Sequence, residues 1–132
     1  MRLLYKDIAP DGELNGNGSI KGGWIFEKMD YAALTIASED FIYRMPGIAA
    51  VTNAAEIKYL APVFPHEYIE IWGDYVYISA GKFDVTLEFR ERFRKSNTWE
   101  IAAIATFSFS LIDAETRKIV RIPKEVVNEI KG

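Results

Sequence analysis

The chain has 132 residues, 49% hydrophobic and 27% charged, which is typical of a single globular domain spanning residues 1–132. Its net charge of -3 argues against a nucleic-acid partner, because phosphate-backbone binding needs a strongly basic face. It has no cysteine and only one histidine, His66, which excludes disulfides and cysteine nucleophiles and argues against a multi-histidine metal site.

Targeting and membrane segments are not apparent in the sequence. Residues 1–6 lack the apolar core of a signal peptide. The longest apolar stretch, residues 101–112, is interrupted by Thr106, Ser108 and Ser110, so it is too polar to span a bilayer. The sequence therefore predicts a cytoplasmic protein that has no membrane partner.

The first third of the chain predicts a short strand, a loop and one long helix. Residues 3–8 favour a strand, and residues 9–21 form a loop rich in glycine and asparagine. Gly22 and Gly23 then open a helix over residues 24 to about 40.

Apolar side chains cover most of this predicted helix. One broad face carries Ile25, Phe26, Met29, Ala32, Ala33, Ile36 and Ala37. The opposite face is also partly apolar, through Trp24, Tyr31 and Leu34. We therefore expect the helix to be mostly enclosed. The breaker at residues 44–47 ends it.

The rest of the chain predicts four strands and a short terminal helix. The predicted strands are residues 51–60, 68–79, 83–93 and 99–111, with turns at 80–81 and 94–97 and a helix at 123–131. The first of them places Val51, Ala55, Ile57 and Tyr59 on one face. Gly73 indicates a bulge or bend. The third strand alternates cleanly, so one of its faces is buried.

Short turns favour antiparallel neighbours, and long strands must curl around something apolar. The pattern therefore predicts an α+β fold in which a curved antiparallel sheet wraps around one long central helix.

Asp30 is the most notable candidate for chemistry. Its helical neighbours are mostly apolar, which should raise its pKa and suit it to act as a general base or nucleophile. The alternative is a boundary acid at the edge of the polar face, which on helix position alone is the more common case.

Gly22 and Gly23 suggest a second element of a site. Free N–H groups at a helix N-terminus suit an oxyanion hole, although a glycine pair is more often a simple turn. Asn15 in the preceding loop could hold water or a carbonyl, or it could be a turn residue. His66 has no obvious acid partner and is interpreted as a loop residue. Basic residues near the third strand and near residues 117–121 could meet phosphates, or could be solvated.

These features occur together and in a fixed order. Residues 15–24, with sequence Asn-Gly-Asn-Gly-Ser-Ile-Lys-Gly-Gly-Trp, are followed by Met29-Asp30. This pattern resembles that of hotdog-fold acyl-CoA thioesterases, most closely the bacterial YciA-type enzymes and the related cytosolic acyl-CoA hydrolases. Softer similarities are Tyr59-Leu60-Ala61-Pro62, residues 107–113 and Arg121-Ile122-Pro123. The likeness covers residues 8 to 123.

The resemblance implies hydrolysis of acyl-CoA without a metal or organic cofactor. It implies that Asp30 drives the reaction, that Asn15 positions water or the carbonyl, and that the N–H groups of Gly23 and Trp24 form the oxyanion hole. The expected substrate- and CoA-binding residues are Gly22, Tyr59, Gly81, Lys82, Phe83, Arg90, Arg92 and Arg121.

The family also implies a homodimer with sheets joined edge to edge, often assembled into hexamers. Asn15 and Asp30 would then serve one site from different subunits.

The sequence departs from the family at Lys21, where an aromatic residue is usual, and at Phe83-Asp84, where a Thr-Ser pair is usual. These departures leave open a non-catalytic acyl-CoA or acyl-ligand binding module on the same fold. An acyl-CoA hydratase or dehydratase is a further alternative, but it would need His66 paired with an acid.

Overall fold

The computed structural model describes residues 1–93 and 95–131. Its strands are β1 (Arg2–Ile8), β2 (Ile48–Tyr59), β3 (Tyr68–Ile78), β4 (Phe83–Arg92) and β5 (Trp99–Asp113). Its helices are α1 (Gly22–Ala37) and α2 (Lys124–Lys131), and a π-helical segment, Ser38–Ile42, continues α1.

The five strands form one sheet in the order β1-β3-β4-β5-β2, and every neighbouring pair is antiparallel. Helix α1 lies across the inner face of this sheet and buries one side in the core. The predicted α+β hotdog architecture, a curved antiparallel sheet wrapped around one long helix, is confirmed. The expected terminal helix is also present as α2.

The core is built from aromatic and aliphatic side chains between α1 and the middle strands. The Phe83 ring lies 4.6 Å from Phe41 and 5.2 Å from Phe109, centroid to centroid. The predicted apolar face of α1 is buried except for Phe26, which is half-buried and packs 5.6 Å from Phe107. The alternation of β4 is realised fully, because every second side chain is buried.

Helix α1 is less enclosed than its sequence predicts. Trp24 is buried and meets Phe89 edge to face at 6.3 Å, although the helical pattern placed it away from the core. Tyr31 and Leu34 are 60% and 40% exposed. One face of α1 is therefore open in the single chain.

Strand β2 differs from its predicted form. It begins at Ile48, and its register against β5 shifts between Thr52 and Ala54. This bulge changes which side chains share a face. Ala55, Ile57 and Tyr59 share a face as predicted, because they pair with Phe107, Ala105 and Ala103 on the buried face of β5. Val51 pairs with Ser110 and lies on the other face, which corrects the prediction for that residue.

Gly73 is not a bulge, which corrects the prediction. It pairs regularly with Arg2 and Leu87, and the irregularity of β3 lies between Tyr75 and Tyr77. A Cβ at Gly73 would lie 2.6 Å from Leu4 Cδ1 and 2.7 Å from Leu87 Cδ2. Glycine is therefore required there by close packing.

The hairpin turns agree with the sequence. Ser79 N–H donates to the Lys82 carbonyl at 2.9 Å, which closes the first predicted turn. In the second turn Asn97 has a φ of 56° and its N–H donates to the Phe93 carbonyl. Arg94, the first residue of that predicted turn, lies outside the described residues.

Candidate active site

The loop before α1 and the chain after β2 enclose a pocket of about 340 Å³. Its lining includes Asn15, Gly22 and Tyr59, three of the predicted site residues. The rest of the lining is apolar: Ile20, Ile25, Leu60, Ala61, Pro62 and Val63. The pocket thus places an amide side chain and a helix N-terminus within a mostly apolar wall, which suits a ligand with one polar reacting group.

Asn15 is held by a compact turn within its loop. Its N–H donates to the Ser19 carbonyl at 2.8 Å, and its carbonyl accepts from Gly18 N–H at 3.0 Å. Gly18 has a φ of 84°, which glycine adopts without strain. The Asn15 Nδ2 group contacts the Ile20 carbonyl at 3.4 Å, a long bond that leaves its second hydrogen free for a ligand.

The N-terminus of α1 is open to a ligand. Lys21 occupies the N-cap without a side-chain cap hydrogen bond, and no acid stands in the first turn. None of the described residues accepts a backbone bond from the N–H of Gly22 or Gly23. An ideal Cβ built on Gly23 meets nothing within 4 Å, so its surroundings are open. These N–H groups can therefore receive an anionic oxygen.

Trp24 is a poorer oxyanion donor than the sequence predicts. Its N–H donates to the Lys21 carbonyl at 3.1 Å, and its indole ring is packed in the core. The structure leaves the N–H groups of Gly22 and Gly23 as the free donors of this helix turn.

Tyr59 joins the end of β2 to the beginning of α1. Its hydroxyl donates to the Gly22 carbonyl at 2.9 Å. A Cβ on Gly22 would lie 3.1 Å from the Tyr59 ring, so glycine permits this close approach. The contact fixes the position of the free N–H groups relative to the pocket wall.

Asp30 is half-buried on α1 but does not line this pocket. Gly22, Phe26 and Asp30 are spaced four residues apart and so share one side of the helix. Phe26 packs on Phe107, which pairs with Ala55 of β2. This side of the helix therefore lies next to β2. Gly23 and Asp30 are seven residues apart, or roughly 10 Å along the axis, so one carbonyl carbon cannot contact both within one chain.

The residues predicted around the β3–β4 hairpin lie elsewhere. Phe83, one of the expected substrate-binding residues, is fully buried among aromatic rings in this chain. Gly81 and Lys82 lie in the hairpin, whose Ala80 carbonyl accepts from Ile122 N–H at 2.6 Å. Phe83 pairs with Phe109, six residues along β5 from Ala103, which pairs with Tyr59. The hairpin is therefore roughly 20 Å from the Asn15 pocket.

The predicted cations do not converge on the pocket either. Arg90 lies on the outer face of the sheet, 4.9 Å above the Trp72 ring and 2.8 Å from a Glu88 carboxylate oxygen. Arg92 lines a separate outer pocket of about 390 Å³ together with Trp99. Arg121 is exposed beyond β5. Within one chain, no predicted CoA-phosphate cation accompanies Asn15.

Glu91, which is buried, and Glu67, which is half-buried, are acids that the sequence interpretation overlooked. Glu91 is fully buried, and neither of its carboxylate oxygens nor Glu67 Oε2 has a hydrogen-bond partner among the described residues. Burial first, and then the adjacent Glu67, raises the pKa of Glu91 to about 8. The signal was present, because Glu91 stands between Phe89 and Phe93 in the buried register of β4.

His66 does have an acid partner. Its Nε2 lies 3.4 Å from Asp11 Oδ2, and both side chains are exposed. The pair is not part of the pocket lining, so the structure does not unite it with Asn15 or Gly22. Among residues 1–93 and 95–131, no group of three or more His, Asp or Glu could hold a metal ion.

No helix in the described part of the chain is both long and apolar enough to cross a membrane.

Comparison with known proteins gives the pocket a context. Residues 19–130 match the sequence model of the thioesterase-like superfamily. A search of curated protein sequences found no match.

Several solved structures share the architecture. A mutant form of HI0827, a hexameric broad specificity acyl-coenzyme A thioesterase, has a TM-score of 0.85 and 22% identity, over 98% of this chain and 92% of that one. Cj0915, a hexameric hotdog fold thioesterase of Campylobacter jejuni, has a TM-score of 0.85 and 20% identity, over 98% and 96%. An acyl-CoA hydrolase of Staphylococcus aureus, in complex with butyryl coenzyme A and coenzyme A, has a TM-score of 0.77 and 18% identity, over 90% and 70%. At these identities the likeness establishes the fold.

Proposed function

Because this chain belongs to the thioesterase-like superfamily, we propose that it hydrolyses acyl-CoA thioesters to a free acid and coenzyme A. The observation that carries the proposal is the open N-terminus of α1 beside Asn15, where Gly22 lines a mostly apolar pocket and the N–H groups of Gly22 and Gly23 have no backbone acceptor among the described residues. Thioesterase activity in the structural relatives agrees with it.

The proposed chemistry uses the polar groups of the pocket and a carboxylate. The thioester carbonyl oxygen accepts hydrogen bonds from Gly23 N–H and from Asn15 Nδ2, which stabilise negative charge as it develops. Asp30 either takes a proton from a water that attacks the carbonyl carbon, or attacks that carbon itself to give an anhydride, which water then hydrolyses to the free acid and the Asp30 carboxylate. In both routes the C–S bond breaks, and coenzyme A leaves as the thiol after taking up a proton.

We propose that Asp30 reaches this site from a partner subunit. Gly22 and Asp30 lie four residues to either side of Phe26, on the side of α1 next to β2. A two-fold axis passing near Phe26 would place Gly22 of one chain opposite Asp30 of the partner subunit. Gly23 and Asp30 are about 10 Å apart along the helix axis within one chain, so a shared site requires an arrangement of this kind.

Strand β2 offers the surface for this pairing. It is an edge strand of 12 residues, and none of its side chains is fully buried. A long edge with only Glu56 and Lys58 charged is a template for another strand. We therefore propose a homodimer joined through β2. The hexamers of HI0827 and Cj0915 make further assembly of such dimers a part of the proposal.

Coenzyme A would lie across the subunit boundary. In a β2-joined dimer, strand β4 of the partner lies three strand spacings from this chain's β2, or roughly 15 Å. Gly81 and Lys82 of the partner subunit then come within the length of a CoA molecule. Arg90 and Arg92 stay on the outer face in this arrangement, so Lys82 and Arg121 are the better candidates for the phosphates.

The direct test is release of free thiol from a series of short- to long-chain acyl-CoAs. The protein has no cysteine, so a thiol reagent detects only the product. We expect release from at least part of the series, and the series would give the preferred chain length. No release from any member would contradict the proposal.

The departures at Lys21 and Phe83 favour one rival, a non-catalytic acyl-CoA binding module. Calorimetry together with the thiol assay distinguishes the thioesterase from the binding module. Tight binding of acyl-CoA without thiol release would establish the binding module. Thiol release would exclude it.

A further inference from the structure

The buried Glu91 and the half-buried Glu67 lie at the end of the sheet nearest the Asn15 loop. Glu91 pairs in register with Ile69 of β3, and Glu67 stands two residues before Ile69, so both point to the inner face and are diagonal neighbours. Glu91 Oε1 and Oε2 and Glu67 Oε2 are buried and have no hydrogen-bond partner among the described residues, and Glu67 lies close enough to raise the pKa of Glu91. Ionising Glu91 out of water and beside a second carboxylate is costly, so Glu91 holds a proton at neutral pH.

The charged surroundings do not neutralise the pair. No described salt bridge involves Glu91 or Glu67. Glu100, opposite Glu91 in β5, adds further negative charge. Other charged groups on the elements packed around this end include Asp7 of β1, opposite Ile69, and Arg92 of β4, opposite Tyr68. Lys28 on α1 is held over the Tyr5 and Trp24 rings, and His66 and Asp11 form a surface pair.

A short chain of hydrogen bonds links this pair to Asn15. The Glu67 carbonyl accepts from Ala9 N–H at 2.9 Å, and the Val63 carbonyl, four residues earlier, accepts from Ile20 N–H at 2.7 Å. The Ile20 carbonyl in turn is the contact of Asn15 Nδ2. The segment that carries Glu67 therefore ties down both ends of the Asn15 loop.

We propose that Glu91 and Glu67 are positioning residues: the proton held by Glu91 keeps the 60–67 segment against β4 and so fixes Asn15. Loss of that proton in alkaline solution leaves two adjacent carboxylates that repel each other, and this loosens the bonds of Ala9 and Ile20. The consequence for turnover rests on the proposed thioesterase function, whereas the loosening of the loop does not.

Amide hydrogen exchange in Glu91→Gln and wild type tests the structural step. Glutamine keeps the size and can donate to Glu67, but it cannot ionise. At about pH 9 we expect the Ala9 and Ile20 amides to exchange at least about fivefold faster in wild type than in Glu91→Gln, and at about pH 6 equally fast. Equal exchange at both pH values would overturn the proposal.

Two further variants serve as controls for the exchange experiment. Glu67→Gln removes the same repulsion from the other side of the pair and should reproduce the result, even if Glu91→Gln fails to fold. Glu100→Gln removes an exposed charge outside the pair and should leave the alkaline exchange fast. Fast exchange in Glu67→Gln, or slow exchange in Glu100→Gln, would contradict the assignment.

The functional step is tested by the pH profile of thiol release. We expect kcat of wild type to fall in alkaline solution by at least about fivefold relative to Glu91→Gln, with KM changed less, because Asn15 acts on the developing oxyanion. A parallel alkaline fall in both proteins would refute the positioning role. Absence of thiol release in every protein would refute the proposed function and leave the exchange result to decide this inference.

Discussion

Strands β4 and β2 have similar lengths, 10 and 12 residues, but opposite environments. In β4 every second side chain is buried, whereas no side chain of β2 is fully buried. Strand β4 has a neighbour on each side, whereas β2 pairs only with β5. The neighbours of β4 come from its own chain, whereas β2 leaves one edge unpaired within the described residues. This difference supports the proposal that β2 pairs with a partner subunit.

The candidate site lies next to the edge strand β2. Asn15 and Gly22 line the pocket beside the end of β2, and Asp30 lies on the same side of α1 as Gly22 and Phe26, next to β2. The β4 side of the molecule carries packing instead, through Phe83 and Gly73. A substitution at β2 should therefore change activity, and one at the packing positions Phe83 or Gly73 should change stability.

The largest expected effect is that of Asp30→Ala. We expect the variant to fold and assemble normally but to lose at least about 100-fold in kcat, because it removes the proposed base or nucleophile. Thiol release at saturating acyl-CoA measures it. Glu27→Ala, at an exposed position one turn earlier on α1, is the matched control and should stay near wild type. Near-wild-type turnover of Asp30→Ala would contradict the assignment of Asp30 as the base or nucleophile.

A lysine on the edge strand should break the dimer. Ala55→Lys places like charges at the proposed axis, where they repel and block strand pairing. We expect a monomer by light scattering, with hydrolysis reduced by about tenfold or more at low protein concentration. Val76→Lys, at a position 64% exposed on β3, is the control and should remain assembled. An assembled, active Ala55→Lys protein would show that β2 is not the interface.

Glu91 is the exception in the packed strand and should make stability depend on pH. Burial raises its pKa to about 8, so the unfolded chain ionises first as pH rises and the native state becomes less stable up to about pH 8. Between about pH 5 and 8, wild type should lose about 5 °C or more in Tm relative to Glu91→Gln. Thermal unfolding across this range checks it, and identical slopes for the two proteins would contradict it.

The smallest expected effect concerns packing at Gly73. Gly73→Ala should destabilise the fold by about 1–2 kcal/mol, because the added Cβ meets the Leu4 and Leu87 side chains and they must move. Gly12→Ala is the control, since nothing lies within 4 Å of its Cβ position. Urea unfolding compares the two. Equal free energies of unfolding would mean that the Leu4 and Leu87 side chains move aside without a loss of stability.

The sequence predicted most reliably those elements whose surroundings come from the same chain. The alternation of β4 and the apolar face of α1 report burial by neighbouring strands, so both were predicted with nearly the right residues. In β2 the predicted face holds for Ala55, Ile57 and Tyr59 but not for Val51, because the bulge between Thr52 and Ala54 changes the phase of the strand.

Predictions for the site differ in the same way between local and long-range features. The spacing of Asn15, the glycine pair and Asp30 identified the region, because local chain geometry fixes it. The surroundings of Phe83 and Arg90 could not be predicted, because their neighbours Phe41 and Trp72 are distant in sequence and meet them only in the folded chain. Glu91 could have been found from its place in the buried register.

The central claim, that two chains share each site, is tested most directly by mixing inactive variants. Asn15→Ala and Asp30→Ala chains are unfolded together, refolded and assayed for thiol release. If Asn15 and Asp30 act from different subunits, half of the dimers are mixed and each has one intact site, so about a quarter of wild-type activity returns. If both residues act within one chain, every site keeps a defect. Activity no higher than that of the separate variants would contradict the account.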